Sequence, residues 1–350
     1  MTHLWVRAES RENEERVGVL PAGVAALLAA GIDVTVEESA TRVVPTAEYA
    51  AVGAEIAPEG SWVDAPKDAI IFGLKELPDN GLSLRHRHIM FGHAYKGQPA
   101  GQRLLARFKA GGGALYDLEY LENEDGRRVA AFGYWAGYAG AAVSLLAFAA
   151  QQAGSPCPPV NTWASSMDMR NDVQSALNGA QPTALVIGAL GRVGTGASDL
   201  CEDVGLTVTK WDMAETAHGG PFPEVLDHTL FFNCILARPG TPVFVPADTC
   251  DRPRQLRVIG DIACDPDSDF SPIKVYDHVT SWDTPVTRVC NAPPLDVMAI
   301  DNLPSLMPRE SSEDFSAQLL PHLKTLGDIN KGVWGRAKTY FDTHIQKVTA

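Results

Sequence analysis

The apolar positions along the chain switch between a period of two and a helical period, and the switches define its elements. HLWVRAES reads as an extended strand. Pro21 then opens a helix to about Ala30, because proline suits the first helical turn, and Gly31 stops it. DVTVEES has the alternation of a half-buried strand. A helix near 46–52, the strands AIIFGLKE and HIMFGHAY, a helix near 98–110 and the strand ALYDLEY complete a first run. Strands separated by helices predict a parallel sheet. A second run begins at Pro182 with TALVIGAL, a helix from about Arg192, then LTVTKWD, LFFNCIL, LRVIGDIAC and TRVCNAP, and predicts a second parallel sheet. The tail from about Ser312 is helical.

Between the runs, residues 132–150 read FGYWAGYAGAAVSLLAFAA, with no charge from Val129 to Met167. That is long enough to span a bilayer, and Gly133, Gly137 and Gly140 permit close helix packing. The stretch is rich in Gly and Ala, poor in Leu, Ile and Val, and leads into Gln151-Gln152. It is therefore read as a helix buried between two domains, not as a membrane span. GSPCPPVNTW follows as a Pro-rich turn region.

A chain of 350 residues has length for two cores. A net charge of −14 argues against coating nucleic acid or docking on anionic lipid, but says nothing about a small anionic substrate. The cysteines, 157, 201, 234, 250, 264 and 290, are too sparse for a disulfide framework and form no CxxC pair. No structural zinc or other metal site is expected. MTHLWVRAESRENEER has no signal-peptide apolar core, so the expectation is a reduced, cytoplasmic protein.

The clearest local signal is TALVIGALGRVGTGASDLCEDVGLTVTKWD. An apolar strand runs into Gly188, Gly191, Arg192, Val193 and Gly194, and a helix follows. Side-chain-free positions let a pyrophosphate approach the backbone, and the helix N-terminus offers it unpaired N–H groups. Asp212 ends the next strand about 20 residues on, where an acid binds the ribose hydroxyls and repels a 2′-phosphate. The cofactor expected is NAD, although Arg192 favours a phosphate. The sequence lacks the P-loop GK[ST], HExxH and GxSxG, so those chemistries have no support.

Residues 70–98, IIFGLKELPDNGLSLRHRHIMFGHAYKGQ, place titratable groups at two strand ends: Lys75 and Glu76, then His93 and Lys96. Ligands of open parallel sheets bind at carboxyl strand ends. A lysine beside an apolar strand loses proton affinity, so Lys75 and His93 suit proton transfer near neutral pH. His86 and His88, in LRHRH, are expected in a solvated turn. Arg16 is placed to fork a substrate carboxylate, or else forms a surface salt bridge. YDLEYLENEDGRRVAAFG supplies Glu119, Glu122, Arg127 and Arg128, and Asp301 lies before two prolines, at a possible N-cap.

RAESRENEERVGVLP, GSWVDAPKDAIIFGLKELP, FGHAYKGQ, LYDLEYLENEDGRRVAAFGYWAGYAGAA, VIGALGRVGTGA, KWDMAETAHGGPFPEV, FFNCI and IDNLPSLMPRE together resemble the NAD-dependent, L-lysine-forming saccharopine dehydrogenase family, within the alanine dehydrogenase and transhydrogenase group. The resemblance runs nearly end to end. It implies an α/β fold of two Rossmann-like domains with an interdomain cleft. Residues 1–132 plus about 312–350 would form the substrate and catalytic domain, and 133–311 the NAD-binding domain. It implies small-molecule partners only, namely saccharopine, L-lysine and 2-oxoglutarate, on a monomer or small homo-oligomer with no nucleic acid or membrane partner. It implies Lys75 and His93 as the acid–base pair, tuned by Glu76 and Glu119. Arg16, Lys96 and Arg128 would bind substrate, Asp212 the adenosine ribose, and Asp301 would lie near the nicotinamide. Cys234 would line the cofactor site. Fungal members carry a cysteine in the glycine turn that pairs with the one in FxNCI; Val193 stands there in this chain, so Cys234 has no such partner. The stretch from 152 to 182 is also slightly short. Two other readings stay open: an alanine-type or other opine or amino-acid dehydrogenase, and an NAD(H)-binding module without turnover.

Overall fold

Short strands with no hairpin among them build the first sheet: β1 (Thr2–Val6), β2 (Ile32–Glu37), β3 (Glu55–Ala57), β4 (Ile70–Phe72), β5 (Arg87–Met90) and β6 (Ala114–Asp117). They lie in the order β3-β2-β1-β4-β5-β6, and every pairing is parallel. The helices α1 (Pro21–Ala29), α2 (Thr46–Ala51) and α3 (Pro99–Gly111) connect them. The computed structural model describes residues 2–11 and 13–348; Glu12, where ENEERVGVLP begins, lies outside them. It divides into two units, Met1–Ala131 with Ser311–Ala350, and Phe132–Glu310.

The alternation expected in DVTVEES is absent, because Thr35 and Glu37 are both fully buried. Helices cover both faces of a parallel sheet, so neither face offers a solvated side. The buried carboxylate of Glu37 is instead saturated, accepting from Trp5 Nε1 and the backbone N–H groups of Ala8, Gly60 and Trp62. His86 and His88 correct the sequence reading in the same way. Both are 1% exposed, at the start of β5 between β4 and β6. His86 Nε2 meets the Ala65 carbonyl at 3.1 Å, and the His88 ring packs edge-on against Trp62 and Phe108. The central strand position overrides their charged neighbours. Burial lowers the proton affinity of both rings, most strongly for His88.

The second unit holds α4 (Gly133–Gln152), α5 (Ser166–Leu177), β7 (Ala184–Ile187), α6 (Arg192–Asp203), β8 (Val208–Trp211), α7 (Met213–Thr216), α8 (Pro223–Asp227), β9 (Leu230–Asn233), β10 (Val258–Asp261), β11 (Thr287–Asn291) and β12 (Pro294–Met298). The sheet order is β11-β12-β10-β9-β7-β8. It is mixed, not all parallel as expected, because β11 runs antiparallel to β12. Only Ala292 and Pro293 join them, and a connection that short permits only an antiparallel pair. The two prolines hid β12 from the sequence reading. It also missed α5, capped by the Ser165 side chain accepting the Asp168 N–H. The C-terminal helices are α9 (Pro308–Leu323), which starts before Ser312, and α10 (Gly332–Ile345).

The long apolar helix is a core element of the second unit. It is long and apolar enough to cross a membrane, but 72% of that window is buried. Its partners are α6 and α5. A Cβ at Gly137 would lie 1.8 Å from the Val193 carbonyl oxygen, and one at Gly196 would lie 1.9 Å from that of Tyr134. The glycines thus let two helix backbones touch. The expectation of reduced cysteines is corrected at one place: Cys250 and Cys290 form a disulfide, with Cα atoms 5.7 Å apart. Forty residues separate them, so only tertiary structure reveals the pairing. The other cysteines are free thiols.

Gly137→Ala is expected to destabilise the second unit by about 1–3 kcal/mol, because backbone cannot yield as a side chain does. Thermal melting checks this; an unchanged midpoint would contradict the close-crossing account.

Candidate functional site

The first sheet reverses its winding between β1 and β4, the point where open α/β sheets bind ligands. Lys75, His93 and Glu119 lie just beyond the ends of β4, β5 and β6, three adjacent strands. The strands are shorter than the sequence suggested, so Lys75 and His93 stand in the loops past them. The Phe91 N–H donates to the Leu74 carbonyl at 2.9 Å and ties the two loops together.

Lys75 is half-buried. Burial lowers its proton affinity first, Arg16 lowers it further, and Glu14 works the other way. Arg16 is not on the surface. It is 4% exposed, and its Nε and Nη2 each reach a Glu14 carboxylate oxygen at 2.7 Å. Burial opposes the Glu14 charge, but Arg16 and then Lys75 more than offset it, so this carboxyl lies below its ordinary range. Glu76 is exposed, 3.9 Å from Arg11.

Glu119 gathers the second group. Its side chain is 16% exposed and meets His93 Nδ1 at 3.5 Å, Lys96 Nζ at 3.1 Å and Arg128 Nη2 at 3.6 Å. Arg128 Nε also donates to the Glu119 carbonyl. The His93 contact, then Lys96 and Arg128, overcome burial and bring the Glu119 carboxyl down to about 2. His93, Lys96 and Arg128 keep exposed faces, and His93 sits at φ 47°, a left-handed conformation found disproportionately at functional sites. Behind them lies Asp117, fully buried, with Oδ1 accepting the Glu119 N–H at 2.9 Å. Burial, reinforced by the Glu119 charge, pushes its carboxyl up to about 6. A cavity of about 350 Å³ lined by Glu76, Gly92, His93 and Arg103 opens beside this group.

The second unit carries its own strand-end site, where β7 parts from β9. Gly188 has φ +88° and donates its N–H to the Trp211 carbonyl. A Cβ on Gly194 would lie 2.1 Å from the Gly188 carbonyl oxygen, so α6 seats directly on the turn. Gly191 is the N-cap of α6, and a Cβ there would lie 3.4 Å from the Gly188 carbonyl oxygen. Arg192 is exposed in the first turn of α6, and Val193 is half-buried toward α4. Asp212 turns one oxygen to the Leu190 N–H at 3.0 Å and caps α7 with the other. Cys234 follows β9, half-buried, with its thiol held protonated by burial and then Asp261. Asp301 is exposed beyond β12 and does not serve as an N-cap, which falls to Asn302. The residues fit a pyrophosphate on the glycine turn and a ribose at Asp212.

Sequence reasoning missed Asp117 and Glu14. A charged residue closing a buried strand in YDLEY was the signal for Asp117. It also missed Leu190, Met213 and Leu236, which are 83%, 82% and 74% exposed around the cradle and offer it apolar surface. Among the described residues, no cluster of three His, Cys, Asp or Glu side chains is arranged to hold a metal.

A glycine cradle on one sheet and a lysine–histidine pair on the other define a dinucleotide-dependent oxidoreductase. The family model "Alanine dehydrogenase/PNT, N-terminal domain" matches residues 5–139. The chain is 44% identical over 364 residues to saccharopine dehydrogenase [NAD(+), L-lysine-forming] of Schizosaccharomyces pombe, covering 99% of each chain. It is 45% identical to the Neurospora crassa protein of that name, covering 98% of this chain and 96% of that one. A solved L-alanine dehydrogenase has the same fold, with a TM-score of 0.70 at 18% identity, covering 97% of this chain and 94% of that one. The chain belongs to the NAD-dependent, L-lysine-forming saccharopine dehydrogenase family.

The raised Asp117 carboxyl has a stability consequence. Its folded value, about 6, lies above the ordinary 3.8. The folded state therefore binds the proton more tightly, and stability is lost as pH rises through that window. Relative to Asp117→Asn, the native protein should lose about 3 kcal/mol between pH 4 and 6 and then level off. Thermal melts of both across this range test it; a pH-independent difference would refute it.

Proposed function

We infer that the chain interconverts saccharopine, NAD⁺ and water with L-lysine, 2-oxoglutarate and NADH. The observation that carries this reading is the pair Lys75 and His93 at adjacent strand ends, each beside its own carboxylate, in a member of this family. The cofactor, when bound, supplies the hydride acceptor or donor. Gly188, Gly191 and Gly194 hold its pyrophosphate, with the first turn of α6 at Arg192 and Val193 beside it. Asp212 would hold the adenosine ribose, Asp301 would lie near the nicotinamide, and Cys234 would line the cofactor site. Lys75 and His93 together handle the protons. One takes the proton of the substrate's secondary amine. The other activates water against the imine and protonates the departing lysine.

The environments suit the two tasks. Burial and Arg16 make Lys75 a weaker holder of its proton than a solvated lysine. His93 presents an exposed ring with Nδ1 3.5 Å from the Glu119 carboxylate. Arg128 and Lys96 offer exposed cations to substrate carboxylates, and Glu76 receives the amine. Arg16 is committed to Glu14, so it acts here through its charge on Lys75.

Lys75→Met with His93→Gln should reduce turnover by at least about 10³-fold while NADH binding stays native. Absorbance at 340 nm and NADH fluorescence measure the two, and native turnover would refute the assignment. Asp212→Asn should weaken NADH about 10–100-fold and narrow discrimination against NADPH. Fluorescence titration with both nucleotides checks this, and unchanged affinities would remove Asp212 from the site.

A further inference from the structure

We propose that Arg7 and Glu9 are positioning residues that aim Lys75 by gripping its backbone beyond the end of β4. This rests on the reading of Lys75 as a proton-handling group. The parallel ladder between β1 and β4 ends at Val6 and Phe72, and the last backbone bond runs from the Arg7 N–H to the Phe72 carbonyl at 2.9 Å. Past that point β1 offers no further main-chain partners. The Glu9 carboxylate takes over. One oxygen accepts the Leu74 N–H at 2.6 Å, and the other accepts the Lys75 N–H at 3.0 Å. Arg7 holds the far side of the same residue, donating Nη2 to the Lys75 carbonyl. Its Nη1 reaches the Ala8 carbonyl at 3.0 Å and Glu9 Oε2 at 3.3 Å.

Lys75 is therefore clamped at both its N–H and its carbonyl by one ion pair. The Arg7 and Glu9 side chains are 1% and 9% exposed. Burying such a pair is a poor route to stability, since apolar residues of similar volume serve as well or better. It is a good route to a fixed direction, because two carboxylate oxygens on successive amides fix the local backbone. The chain makes room for it: a Cβ on Gly73 would lie 2.5 Å from the Arg7 guanidinium. The Leu74 carbonyl, bonded to the Phe91 N–H, extends the clamp to the loop carrying His93.

The test is a double-mutant cycle on the full chain, read by NADH oxidation with L-lysine and 2-oxoglutarate. Glu9→Gln leaves one acceptor oxygen for two amides and turns an NH₂ against the other. Its kcat should fall about 100-fold, the scale of a 1 Å misplacement, with NADH affinity unchanged. In the Lys75→Met background the same change should cost less than about twofold, because the group it aims is already gone. Arg7→Lys keeps the charge but loses the fork, and should behave likewise if Glu9→Gln fails to fold. Native kcat in both variants would overturn the proposal. Losses that multiply in the Lys75→Met background would overturn it too, by showing that the pair acts elsewhere. A Lys75→Met enzyme with native turnover would overturn the reading of Lys75 itself.

Discussion

Backbone amides beyond the last ladder bond of a parallel strand need acceptors that the neighbouring strand no longer supplies. The candidate site residues of this protein stand in that position. Carboxylates fill the gap, from an adjoining segment or from the strand end itself. Glu9 accepts the amides of Leu74 and Lys75, Asp117 accepts that of Glu119, and Asp212 accepts that of Leu190. A buried or half-buried acid satisfying a loop amide fixes where the next side chain points. The requirement of hydrogen-bond satisfaction and the requirement of a preorganised site have the same solution here.

Neighbouring acids set the electrostatics. Lys75 lies beside a guanidinium already neutralised by Glu14, so its environment is poor in net negative charge and low in water. His93 lies beside Glu119, whose charge the His93 contact, Lys96 and Arg128 favour. Two proton carriers on adjacent strand ends are thereby given different surroundings, which is how one site performs both acid and base steps. In the second unit Asp212 stands at the wall of the glycine cradle, opposite in sign to the phosphate-binding helix terminus it adjoins.

Much of this was legible in the sequence. Glycine spacing after an apolar strand, and an acid at the end of the next, located the cradle because both are local consequences of a tight turn. Lys75 and His93 stood out in the sequence because each interrupts an apolar run, and they follow adjacent strands. What was missed depends on distant packing. His86 and His88 read as solvated because their neighbours are arginines, yet the central place of β5 buries them. Arg16 read as a carboxylate fork or a surface salt bridge, and its pair with Glu14, two residues earlier, is buried. The disulfide joins Cys250, in a short turn, to Cys290 in β11, and β12 hides behind two prolines. Gly137 was correctly read as a close-packing position, although its partner proved to be α6 in the same unit.

The central claim is secondary-amine chemistry between an amino acid and a keto acid, supported by Lys75 and His93. The most direct measurement is NADH oxidation at 340 nm with L-lysine and 2-oxoglutarate, each omitted in turn. The account predicts a decay that requires both. No decay with both present, in a protein that still binds NADH, would contradict it.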